Sequence, residues 1–148
     1  MLVEKISAYV LTLLRLLLGF SWLQEGIFKV QAHFTIQGLV NTIDGGTASP
    51  GWYQHFFSTV VSSSVPLFNF LIPAGEIAIG LGLIFGILTR SAILAACFMA
   101  INYWLANMIY IYPIQLMGSI ILLACYNQAT KYRLLSLWRY FKKRKLAS

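Results

Sequence analysis

Charge is what this sequence has least of. Of its 148 residues only 10% are Asp, Glu, Lys or Arg, against roughly 25% in soluble domains. A water-soluble fold with so few charges would expose large apolar patches and associate or precipitate. Cysteine is almost missing: Cys97 and Cys125 stand apart, with no C-x-x-C pair to support a thioredoxin-like redox centre. The two histidines, His33 and His55, lack paired-ligand spacing and read as surface residues, so no haem or metal site is expected. Walker loops, dinucleotide and flavin fingerprints and nucleophile elbows are absent too. Length removes a further option. Four membrane spans of about 20 residues each leave no room for a separate catalytic domain.

What the chain does have is apolar residues, 59% of the total, with a mean hydropathy of +0.74. They fall in four runs, about 6–28, 66–88, 91–106 and 111–126. The reading is an all-α membrane protein, a four-transmembrane-helix bundle. The first run is too long for a signal peptide, carries Arg15 in its middle and lacks a small-residue cleavage site. Residues 31–65 differ. Gly45-Gly46, Pro50-Gly51 and Ser62-Ser63-Ser64 read as turns. Between them lie Phe34, Leu39, Val40 and Ile43, then Trp52, Tyr53, Phe56 and Phe57. These are amphipathic pieces of an outer loop that lies in the interface or folds back over the bundle.

The basic residues orient the chain. Lys5, Arg90 and the tail from Lys131 to Lys145 hold most of them, and the loop after Lys29 has none. The positive-inside rule then places both termini in the cytoplasm, in a multi-pass protein of the cytoplasmic membrane. Residues 1–130 form the transmembrane domain. Residues 131–148 form a basic amphipathic cytoplasmic tail, which accounts for most of the net charge of +7. Interleaved with Leu134, Trp138 and Phe141, that tail reads as a lipid-headgroup anchor, with anionic lipid as partner. No nucleic-acid fold signature accompanies the charge.

Charged residues inside spans are costly and usually face the bundle interior. Arg15, Trp22 and Lys29 recur every seven residues with Gly19 and Gly26 beside them, in one narrow sector of a helix. Glu25 stands four residues before Lys29, in pairing distance. Glu76 lies inside the second run, and Arg15 and Glu76 are expected to meet at similar depth. Gly82 and Gly86 give a small-xxx-small spacing for close helix approach. Such a cluster either fixes helix register or binds a ligand. Aromatics such as Phe98, Tyr103, Trp104 and Tyr112 read as interface-belt or packing residues. A cleft among them, with Arg15 and Glu76 as polar points, would suit a ring compound such as a quinone.

The segment from Arg15 to Lys29 (RLLLGFSWLQEGIFK) resembles the first-helix signature of the DoxX/DoxD family. Pro73-Ala74-Gly75-Glu76, continuing through Gly80 to Thr89-Arg90, is similar to its second. The resemblance implies a four-helix membrane bundle akin to the small membrane subunit of thiosulfate:quinone oxidoreductase. It implies a redox membrane subunit with non-covalent quinone, a small sulfur-containing or oxyanionic substrate and a partner redox subunit or homo-oligomer. In that reading Glu25 and Glu76 handle protons, and Arg15, Trp22, Gly26, Lys29 and Arg90 bind the ligand. The alternative is a non-enzymatic transporter or membrane-protein assembly factor built on the same charge cluster.

Overall fold

The structure, a computed structural model, describes residues 2–133. Helix α1 runs Leu2–Gln31, α2 Gln37–Asp44 and α3 Gly51–Phe56. A π-helical turn over Phe57–Val61 and a 3-10 turn over Ser62–Ser64 lead into α4, Val65–Phe85. Helix α5 spans Thr89–Leu105, α6 Tyr112–Ala124 and α7 Tyr126–Ala129. No strand occurs among the described residues. The segment Gly51–Phe85 is helical throughout, and among the described residues it and α1 are the two helices long and apolar enough to cross a membrane. Helices α5 and α6, with 17 and 13 residues, fall short of the usual span of about 20. The Ser62-Ser63-Ser64 run is therefore helical and not the turn its composition indicates. Ser62 and Ser63 hydroxyls donate to the carbonyls of Ser58 and Thr59, four residues back, so within the helix they find acceptors that a turn would otherwise supply.

Helix α1 packs antiparallel on α4 with the two backbones touching. A Cβ added to Gly80 would lie 2.7 Å from the Leu23 nitrogen, and one on Gly26 would lie 2.9 Å from the Pro73 carbonyl oxygen. Only glycine permits that approach. Gly82 and Gly86 do not form this contact. Gly82 faces Ala92 of α5, and Gly86, at φ +68°, ends α4 in the left-handed conformation. Leu18, Trp22, Ile79, Leu83, Ile93 and Leu122 form the central core. Asn107, at φ +57°, terminates α5.

The segment between α1 and α4 folds back as a cap on one end of the bundle. Ile36, Val40, Ile43, Tyr53, Phe57 and Val61 make a second apolar core against Phe68, Ile72 and Leu105. Polar ties also hold it. The Ile36 N–H donates to Asn69 Oδ1 at 2.7 Å, and the Tyr53 hydroxyl donates to the Asn102 carbonyl at 3.0 Å. The tail beyond Arg133, on which the expected lipid anchor falls, lies outside the described residues.

Candidate functional site

Four helices bring their polar residues together under the cap. Lys29 lies in the last turn of α1, Glu76 midway along α4, Tyr103 near the end of α5 and Tyr112 at the start of α6. Glu76 is fully buried, and Lys29 is 8% exposed. The Lys29 ammonium donates to both Glu76 oxygens, at 2.8 and 2.9 Å. The Tyr103 hydroxyl donates to Glu76 Oε1 at 2.5 Å. The Tyr103 and Tyr112 rings stack with centroids 3.9 Å apart, and Lys29 Nζ lies 5.2 and 5.9 Å from them, within cation–π range. Glu25 approaches Lys29 Nζ at 3.5 Å, and its side chain is 26% exposed. One lysine thus serves two carboxylates, leaving the trio with an excess of negative formal charge.

Beside this cluster, between the cap and helices α4 and α5, lies an apolar cavity of about 130 Å³. Ile36, Phe57, Ile72, Phe98, Met99 and Tyr103 line it. Tyr103 therefore belongs both to the cavity wall and to the ion-pair network. The π-helical turn contributes Phe57 and Val61 to the same wall; such turns recur at functional sites.

The expected stripe on α1 is real: Arg15, Gly19, Trp22, Gly26 and Lys29 are all buried. Its parts do different things. Arg15 does not meet Glu76. Its guanidinium donates to the main-chain carbonyls of Leu83, Ile84, Ala129 and Tyr132. Leu83 and Ile84 end α4 and Ala129 ends α7, so Arg15 supplies donors to helix C-terminal carbonyls that lack partners of their own. The reason is register. Gly19 lies level with Gly80 and Ile84, and Gly26 with Pro73 and Ile77, which sets Arg15 near the end of α4 and Glu76 near Lys29. Neither cation is left to hold an anion, because carbonyls occupy Arg15 and glutamates occupy Lys29. The space at Gly26, expected to admit a ligand, is filled by the α4 backbone. Trp22 is fully enclosed, its ring 6.2 Å from Tyr112 and its Nε1 without a hydrogen-bond partner among the described residues. Arg90 is exposed at the start of α5, beside Tyr126, Asn127 and Gln128, and does not join the cluster.

Tyr103 and Tyr112 are site residues that the sequence placed among belt, packing or cleft aromatics without assigning either a polar role. A signal existed for the first. Ala92, Ala96, Ala100 and Tyr103 recur at helical spacing, and a stripe of small residues marks the face of α5 that meets its neighbours. Nothing in the chain singles out Tyr112. Cys97 and Cys125 are free and partly buried, and both histidines are exposed. Among the described residues no three His, Cys, Asp or Glu side chains converge.

An all-helical bundle with two long apolar helices among the described residues is consistent with a helical membrane protein. The DoxX family model matches residues 10–108, about two thirds of the chain and every helix from α1 to α5. The chain belongs to the DoxX family. No curated protein and no solved structure matches it.

Proposed function

We propose that this protein is a quinone-linked redox membrane subunit whose cavity beneath the cap holds a neutral ring compound. The observation that carries the reading is Tyr103, which lines the apolar cavity while its hydroxyl sits on the buried Lys29–Glu76 pair. The fit is favourable on size and on charge. The cavity of about 130 Å³ is near the roughly 150 Å³ of an apolar cavity that accommodates benzene. An oxyanion would find no unoccupied cation beside it, whereas an uncharged ring needs only apolar walls and a few polar points. Membership of a family often associated with quinone-linked oxidoreductases supports the same assignment. When bound, a quinone supplies two-electron, two-proton redox capacity. The protein's own groups bind the ring between Phe57, Ile72 and Met99, exclude water, and hold a proton at the Tyr103 hydroxyl. A partner subunit delivers the electrons.

In the bilayer, α5 and α6 complete a four-span bundle with both termini cytoplasmic and the cap outside. The basic tail at residues 131–148 meets anionic headgroups. Binding of a short-chain quinone analogue to the protein in nanodiscs tests the site. Met99→Trp fills the cavity and is expected to weaken binding by roughly tenfold or more, equivalent to about 1.4 kcal/mol. Thermal unfolding first shows that the variant folds. Wild-type affinity in folded Met99→Trp would place the ligand elsewhere, and no binding by the wild type would remove quinone.

A further inference from the structure

We propose that Glu25 is the water-side terminus of a proton relay, Glu25–Lys29–Glu76–Tyr103, which joins the aqueous face at the capped end of the bundle to the apolar cavity. The inference rests on the reading above only for the identity of the cavity's ligand. Its geometry stands independently.

The first link is an ion pair and the other two are hydrogen bonds. Glu25 Oε2 is 3.5 Å from Lys29 Nζ, Nζ is 2.8 Å from Glu76 Oε1, and that oxygen accepts from the Tyr103 hydroxyl at 2.5 Å. The two ends differ in access. Glu25, its side chain 26% exposed, lines an open groove with Gln24, Phe28, Gln31 and Tyr110, while Tyr103 is 6% exposed and lines the cavity. Glu76, between them, has no exposure and reaches water only through its neighbours. Helix periodicity places Glu25 one turn from Lys29, so the α1 backbone itself sets the first step. Tyr112, with its hydroxyl 3.5 Å from Nζ, closes the cluster from α6. Toward the other end of the bundle the buried apolar residues Leu18, Ile79, Leu83 and Leu122 intervene. Proton exchange is therefore directed to the capped side.

Each passage moves one proton and no electrons. When the Tyr103 O–H gives its proton to a ligand in the cavity, the Lys29 ammonium sends one through Glu76 to the phenolate oxygen. Glu25, a carboxylate at rest, then takes a proton from water and passes it to the Lys29 amine, which returns every group to its starting state. The reverse sequence releases a proton to the same side. A simple structural ion pair would need neither the part-exposed second carboxylate nor a tyrosine that both bonds the pair and lines the cavity.

Hydrogen–deuterium exchange at the Tyr103 hydroxyl reads the relay directly. In protein carrying 13C at the tyrosine ζ carbon, the deuterium isotope shift reports exchange after transfer of nanodiscs to D2O. Glu25→Gln is expected to slow Tyr103 exchange by roughly a hundredfold, the scale of a positioned proton-transfer group. Glu25→Asp should stay within a few-fold of wild type, and added acetate should restore exchange in Glu25→Gln. Rescue by a diffusible carboxylate distinguishes proton delivery from support of the fold. Unchanged exchange in Glu25→Gln overturns the relay, and so does a loss that acetate leaves in place. Protein that shows the full pattern without binding quinone keeps the relay and loses the quinone reading. Protein that binds quinone while exchanging Tyr103 independently of Glu25 does the opposite.

Discussion

A lysine shared by two glutamates has its stability set by what surrounds it. Lys29 and Glu76 are nine-tenths or more removed from water, and deleting one partner leaves the other charge uncompensated. Lys29→Met is expected to cost about 3–5 kcal/mol, a large share of the stability of any folded protein. Lys29→Met combined with Glu76→Leu should recover much of that loss, because no buried charge then lacks a counter-charge. Thermal unfolding in one detergent across the four proteins of the cycle gives the coupling. Simple addition of the two losses would show that they are not partners. How much of this could be read in advance follows from helix geometry. A 3.6-residue period fixes rotation, so the buried face carrying Arg15, Trp22 and Lys29 was visible in the sequence. Periodicity says nothing of how far one helix slides along another. The pairing of Glu76 with Lys29 and not Arg15 was set by that slide, through glycine contacts between α1 and α4.

Helices α1 and α4 touch along their main chains, which makes individual glycines unequal. Gly80 and Gly75 lie five residues apart on α4. A Cβ at Gly80 would collide with the Leu23 backbone at 2.7 Å, and one at Gly75 meets nothing within 4 Å. Gly80→Ala should therefore destabilise by about 1–3 kcal/mol, the usual range for overpacking. Gly75→Ala should be neutral or stabilise by up to about 1 kcal/mol, since glycine is a poor helix former. Melting temperatures of the two variants, compared side by side, decide it; equal shifts would mean that the α1–α4 contact is not as close as described. The glycine-rich character of this helix was plain in the sequence. Which glycine meets α1, which meets α5 and which ends the helix depended on facing and termination together. The cap was legible as amphipathic pieces, but its helical continuity with α4 was hidden by three serines that usually signal a turn.

For the whole molecule, the proposed topology sets the cap and the α4–α5 turn on opposite sides of the membrane. Cysteine introduced at Ala48 or at Ile87, both exposed, in a chain lacking Cys97 and Cys125, should react with impermeant reagents from opposite faces. Labelling of Ala48 from outside and Ile87 from the cytoplasm is expected; reaction of both from one side would remove the four-span arrangement. The bracket made by Arg15 gives this architecture a temporal side. Its guanidinium is completed by the carbonyl of Tyr132, 117 residues further along the chain. At synthesis rates of roughly 5–20 residues per second, the ribosome needs about 6–23 s to travel that distance. During that interval the first helix is already made, while the carbonyls that will hold its arginine do not yet exist. The nascent bundle is thus incomplete from within until its last described turn emerges, and any stall before that point leaves a charged side chain waiting in the bilayer for a backbone still to be translated.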